Sequence, residues 1–474
     1  MARQDAYRGS ALLHFTVRSH GVRLAAAILA SSGCFSERSF PLTAGDVARL
    51  HSTENRREGR SARQWLTLAH RELRGALPWL SREALLTENL ADVDGRPIDV
   101  RRHFGLAGRN LAKLLCNSDG LSHTAQAAAQ GYMTADAKSA PGFEDIWVPI
   151  SNELKLAGRM GWATDADSAK IKADCIVILP GFFGDNGIQR TRDLATGLKE
   201  LGFHVLALEL RGHGRTDASY PSIPYNFGVL ETGDLLAVSE WLRAEPLVDR
   251  TGLVGFCWGA NSALLAAWSD GRGESAPDIS ERLSRSLRPV MSERHYEAGI
   301  IAFSPVLRFE ELIDALDSPR ETFHEPVLAA LQNTIRLRME RKHDPPPDGS
   351  LRRLIDLEFA RSALSYPHAV EDGLRFLRFL PYRDKPIGAK LAAARTPVLI
   401  VAGANDPLTS AQDLADLLAG LDNPNVAGLI LPGGGHVGFA AYAKRYYFSL
   451  IVNFFDRRTG PSAVPRGAAV AQAD

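Results

Sequence analysis

The sequence predicts an α/β fold with a mostly parallel, doubly wound sheet, a helical insertion late in the chain and a helical N-terminal extension. Three observations carry that prediction. Six short apolar runs bounded by turn residues recur at 175–179, 204–208, 252–256, 299–303, 397–401 and 426–431. Uninterrupted runs of this length suit strands buried on both faces of a parallel sheet. Between them lie stretches with apolar residues at helical spacing, such as 191–201 and 230–243, as right-handed βαβ crossovers require. Finally, one run ends in Gly255-Phe256-Cys257-Trp258-Gly259 and passes directly into the helical stretch 260–266.

Taken from the N-terminus, Arg18 and Arg23 precede an apolar stretch, 24–30, that leads through small residues to Cys34. An ordinary helix and a bacterial lipoprotein signal share that layout, so residues 1–33 stay open between the two. In the second case Cys34 becomes the lipidated first residue, anchoring the protein in the cell envelope; otherwise a cytoplasmic protein is expected. The apolar stretch falls far short of the roughly 18 residues that cross a bilayer. Residues 34–141 are rich in Arg, Ala and Leu and carry no β-branched run. Helical spacing, as at 106–115, predicts a helical extension packed on the main domain or forming a stalk.

The main domain spans 142–457. It opens with strands at 145–150 and 153–160 around Ser151-Asn152, a hairpin pattern. The six buried strands follow. Between the strands ending at Phe303 and starting at Pro397 lie about ninety residues, far more than a crossover uses. Helical spacing at 307–316, 326–337, 351–364 and 369–379 predicts a cap at about 306–390, shielding an acyl-binding cleft. Segment 271–295 and the tail 458–474 are polar and contain Gly and Ser, so they are expected to be mobile.

Composition excludes several classes. Hydrophobic residues make up 45% of the chain, enough for a large core, so wholesale disorder is ruled out. Lys and Arg number 55 against 55 Asp and Glu, leaving no basic field for nucleic acid. The cysteines, Cys34, Cys116, Cys175 and Cys257, are scattered without CxxC or His spacing. Neither a disulfide framework nor a metal site follows, and no cofactor is expected.

Gly255-Phe256-Cys257-Trp258-Gly259 is the nucleophile-elbow pattern G-x-S-x-G with cysteine at the serine position. A sharp strand-to-helix turn strains the nucleophile's backbone, and flanking glycines are needed where a Cβ would clash. The turn also sets the sulfur at a helix N-terminus, where the dipole favours a thiolate. On its own the pattern favours a buried, inert thiol. Its partners decide. Asp406 follows the strand at 398–401, and His436 follows the strand at 426–431 within Gly433-Gly434-Gly435-His436-Val437-Gly438-Phe439. Both fall at C-terminal strand ends, where open α/β sheets gather their ligands.

The segment 176–439 resembles the YheT-like branch of the α/β-hydrolase fold. The resemblance rests on Leu179-Pro180-Gly181-Phe182-Phe183-Gly184, Leu210-Arg211-Gly212-His213-Gly214-Arg215, Glu231-Thr232-Gly233-Asp234 and Gly434-Gly435-His436-Val437-Gly438-Phe439. Members are similar to carboxylesterases and lipid hydrolases with a Ser, Asp, His triad. The resemblance implies that Asp406 and His436 are acid and base. Cys257 departs from it at the nucleophile, and Pro180 stands where the branch has histidine.

Together these features predict a hydrolase of ester or thioester bonds in apolar, lipid-like acyl substrates. Cys257 would attack, His436 would act as base, Asp406 would orient it, and an acyl-cysteine would form. Backbone N–H groups of Phe182 and Trp258 would form the oxyanion hole. Arg211 to Gly214 is expected to be a structural turn, with His213 on too early a strand to be the base. Because a thiolate is also a good leaving group, acyl transfer by the same triad is the second expectation, and a non-catalytic scaffold the third.

Overall fold

The apolar runs become the spine of one nine-stranded sheet in the computed structural model, which describes residues 60–76, 84–106, 141–181, 184–225, 228–270, 294–308, 312, 352–353 and 388–455. The strands are β1 (Leu85–Leu86), β2 (Phe143–Pro149), β3 (Lys155–Gly161), β4 (Ala173–Leu179), β5 (His204–Leu208), β6 (Val248–Phe256), β7 (Gly299–Phe303), β8 (Val398–Gly403) and β9 (Val426–Leu431). They lie in the order β1-β9-β8-β7-β6-β4-β5-β3-β2. All neighbours from β5 through β4 to β9 are parallel. The expected hairpin is β2 with β3, and β3 runs antiparallel to β5.

Residues of β4 show why these runs are continuously apolar. Cys175, Val177 and Leu179 pack into one core cluster while Ile176 and Ile178 pack into the other, so both faces are covered. On the first face lie α3 (Val229–Arg243), α4 (Trp258–Ser269) and α5 (Ala411–Ala419). The second face is covered by α1 (Ala62–Leu73), α2 (Gln189–Glu200) and α6 (Phe439–Phe455).

The N-terminal extension contributes to the sheet itself. Leu85 and Leu86 pair antiparallel with Ile430 and Leu429 of β9, a strand that no β-branched run announces. Before it, α1 starts at a Ser61–Gln64 capping box and buries Trp65, whose ring meets Phe454 of α6 edge-on at 5.1 Å. Arg63 Nε donates to the Val426 carbonyl at 3.0 Å.

Several expectations fall outside the described residues. They are Cys34 and the rest of 1–59, most of the helical stretch at 106–115, nearly all of the cap, most of 271–295, and the tail.

Candidate active site

Between β6 and α4 the chain turns on one residue. Cys257 has φ 53° and ψ −118°, a conformation that costs a non-glycine residue about 1–3 kcal/mol. The surroundings hold it there. Its N–H donates to Phe303 O at 2.9 Å, and its carbonyl accepts from Ala260 N at 3.0 Å and Asn261 N at 3.3 Å. The flanking glycines have steric reasons: a Cβ at Gly255 would strike the Gly259 carbonyl, and one at Gly259 would strike the Pro180 carbonyl and lie 2.9 Å from Leu179 O. Cys257 stays partly exposed, whereas Cys175 is buried, with burial pushing its thiol up beyond the usual thiol range.

Gly181 brings the loop after β4 against the elbow. A Cβ added there would sit 3.1 Å from Cys257 Cβ and 3.7 Å from its Sγ. Phe182, the next residue, is outside the described residues. Trp258 is buried as the first residue of α4, where backbone N–H groups point out of the helix end.

The expected acid and base, Asp406 and His436, lie on the loops after β8 and β9. Asp406 and His436 are 1% and 4% exposed at their side chains, and His436 Nδ1 lies 2.8 Å from Asp406 Oδ2. Burial pushes the imidazole pKa down, but the Asp406 charge, followed by the charge of Cys257 and hydrogen bonds to both, raises it to about 10. Burial likewise pushes the Asp406 carboxyl up. The His436 charge, with hydrogen bonds from His436 and Thr409, outweighs this and holds the carboxyl below its usual range. The pair is therefore a charged one, and Cys257 is electrostatically part of it.

Other residues fix this geometry. The Leu408 and Thr409 N–H groups donate to Asp406 Oδ1 at 2.8 and 2.9 Å, and Thr409 Oγ1 donates to Oδ2 at 2.7 Å. Asn405 Oδ1 accepts from Gly435 N at 2.9 Å, tying the Asp406 loop to the His436 loop. Gly434 and Gly435 take φ 112° and 56° to form the turn that carries His436. Val437 and Phe439 then bury themselves in the core, Phe439 packing 5.3 Å from Phe303, which anchors that turn. The Asp-x-x-Thr spacing at 406–409 is a local side-chain-to-backbone turn pattern, a signal that could have identified Thr409.

The remaining motif residues brace the loops. Arg211 makes two 2.6 Å hydrogen bonds to Asp234. Glu209, buried, accepts from Asn186 N at 3.1 Å and Arg215 N at 2.8 Å, joining the turn after β5 to the loop after β4. His213 bonds the Arg211 carbonyl at 2.9 Å and meets Tyr225 edge-on.

A cysteine elbow after β6, an aspartate after β8 and a histidine after β9, all at C-terminal strand ends of a doubly wound sheet, fit the α/β-hydrolase class. The sequence matches the Alpha/beta hydrolase family over residues 176–447, more than half the chain. The chain belongs to that family and is an enzyme of the hydrolase type. Similar solved structures include the esterase Pf2001 of Pyrococcus furiosus, 16% identical, covering 66% of this chain and 92% of that one at a TM-score of 0.41. The α/β hydrolase GrgF from Penicillium sp. sh18 is 18% identical, covering 66% and 98% at 0.40. Est1E from Butyrivibrio proteoclasticus is 14% identical, covering 65% and 98% at 0.37. No curated protein matches the sequence.

Proposed function

We propose that this enzyme hydrolyses ester or thioester bonds of apolar acyl substrates through Cys257, His436 and Asp406, as a member of the YheT-like branch. One observation carries the reading: the buried Asp406–His436 pair, at 2.8 Å, includes Cys257 in its electrostatics while Cys257 occupies a strained elbow. Asp406 engages Nδ1 of His436 and so leaves Nε2 for the sulfur. In the resting pair the thiol proton already sits on His436, and the sulfur attacks the acyl carbon as a thiolate. The resulting oxyanion is held by the Trp258 N–H and, from the neighbouring loop, the Phe182 N–H. Collapse of the intermediate breaks the bond to the leaving alkoxide or thiolate, which receives the proton from His436. Water then attacks the acyl-cysteine with His436 as base, releasing the acid and restoring the thiolate and the protonated His436.

The test is turnover of chromogenic esters and thioesters, together with alkylation of Cys257 followed by peptide mass spectrometry. Wild type is expected to turn over and to be alkylated at neutral pH; His436→Ala is expected to lose 10³-fold or more in turnover, roughly the loss seen when a triad member is removed. No turnover, together with no His436-dependent alkylation, overturns the reading. Adding alcohol or thiol acceptors reveals transfer as mixed product. Anchoring through lipidated Cys34 is checked by the N-terminal mass after bacterial expression, an intact unmodified terminus ruling it out.

A further inference from the structure

The loop expected to supply one oxyanion donor, Phe182, is held on both sides of that residue. Before it, Gly181 lies against the elbow: a Cβ added there would sit 3.1 Å from Cys257 Cβ and 3.4 Å from Phe256 O. After it, the Gly184 N–H donates back to the Gly181 carbonyl at 2.9 Å, and the Asn186 N–H donates to Glu209 Oε1 at 3.1 Å. The last of these contacts leaves the loop and reaches a buried carboxylate.

Glu209 directly follows β5 and is 1% exposed. Its backbone is pinned to β3. The Glu209 N–H donates to Ala157 O at 2.9 Å, and the Thr216 hydroxyl donates to Glu209 O at 2.7 Å while accepting the Ala157 N–H at 2.8 Å. The second carboxylate oxygen, Oε2, accepts the Arg215 N–H at 2.8 Å and lies 3.6 Å from Arg215 Nε. The turn after β5 is shaped around this carboxylate: Gly214 takes φ 44°, and a Cβ there would sit 2.5 Å from Glu209 Cδ. Burial pushes the carboxyl above its usual range even though the Arg215 and Asn186 N–H groups favour its charge, so the group is costly to keep inside. What it returns is stiffness, since a charged acceptor binds an N–H more strongly than a neutral one.

We propose that Glu209 is a positioning residue for the oxyanion hole, its carboxylate fixing, through the Asn186 N–H, the loop that presents the Phe182 N–H to the developing oxyanion. The proposal rests on the reading of Cys257 as nucleophile and Phe182 as oxyanion donor. Such a donor acts only from about 2.7–3.1 Å of the oxygen it serves, so a loop displaced by a fraction of an ångström forfeits much of the effect.

The experiment uses the full chain with Glu209→Gln. The Arg215 guanidinium favours the amide oxygen on its own side, which leaves the amide NH2 facing the Asn186 N–H and removes the strap from the loop. Three readings are compared with wild type. Ester turnover builds an oxyanion, and kcat is expected to fall about tenfold or more with little change in KM. An apolar trifluoromethyl ketone needs the hole as well, because the Cys257 sulfur adds to its carbonyl carbon and the carbonyl electron pair moves onto the oxygen. Its inhibition constant is expected to rise about tenfold. Iodoacetamide alkylation of Cys257 expels iodide and builds no oxyanion, so its rate is expected to stay within about twofold of wild type. Unchanged kcat, or unchanged ketone inhibition, overturns the proposal. So does an equal loss in all three readings, which would assign Glu209 to the general architecture of the elbow. Should Glu209→Gln fail to fold by circular dichroism, Glu209→Asp, which keeps the charge but is too short to bridge both N–H groups, is judged by the same readings. No turnover and no His436-dependent alkylation in the wild type instead sinks the nucleophile assignment, and this proposal with it.

Discussion

At the scale of the residue, His436 governs how the site responds to pH. The imidazole titrates near 6.5 when free and near 10 here, so the native state holds a proton that the unfolded chain has lost between those values. The stability this confers is complete below pH 6.5 and disappears as pH rises through about 10. Urea midpoints of the wild type are expected to fall across that window, with the slope much reduced in His436→Ala. Asp406 acts in the opposite sense: its lowered pKa contributes stability above the free value of 3.8 that is lost as pH falls. Asp406→Asn should keep the fold but lower kcat by about 10⁴-fold, the loss expected when an imidazole is held in the wrong tautomer. Steady-state kinetics with a circular dichroism control checks this. That Asp406 and His436 would meet was legible because each comes within a few residues of the end of an apolar run. Asn405 and Thr409 were not, because their roles depend on loop conformation, which neither helical nor strand periodicity encodes.

The element scale is set by backbones in contact. At the elbow, β6, α4 and the end of β4 approach so closely that a methyl group at Gly259 meets the Pro180 and Leu179 carbonyl oxygens and Leu179 Cβ, none of them on a side chain free to swing away. Gly259→Ala is expected to cost about 3 kcal/mol or more in a denaturant titration, since backbone yields less than a side chain. Gly420→Ala is the control: nothing lies within 4 Å of its Cβ, and φ is −92°, so its stability should stay near wild type. Helix α3 offers a second test through Glu231. Burial, partly offset by Arg211 and reinforced by Asp234, raises its carboxyl to about 7. Such an acid binds its proton more tightly when folded, so it erodes stability as pH rises from about 4.5 to 7. Glu231→Gln should match wild type below pH 4.5 and exceed it above 7 by roughly 1–3 kcal/mol. The six parallel strands were legible as continuous apolar runs. β6 begins at Val248, ahead of its run, because exposed Asp249 interrupts the apolar pattern, and the pairing with β4 shifts register between Val248 and Thr251.

For the molecule as a whole, the described part of the N-terminal extension belongs to the same cores as the family domain. Trp65→Ala is therefore expected to cost about 3–5 kcal/mol in a single cooperative unfolding transition, measured by denaturant titration of the full chain. A separate early transition unaffected by the domain would contradict that. This union was hard to see in the sequence because β1 is two leucines long, and its pairing depends on an edge that another part of the chain must first create. The Thr87 hydroxyl accepts the Gly428 N–H at 2.6 Å, across a separation of 341 residues. During synthesis, Trp65, Leu85 and Leu86 emerge well before the strand and helix that cover them. Contacts over such long loops form slowly. A chain halted before Val426 keeps those apolar residues in water, so unfinished copies carry a sticky mark that finished ones have hidden.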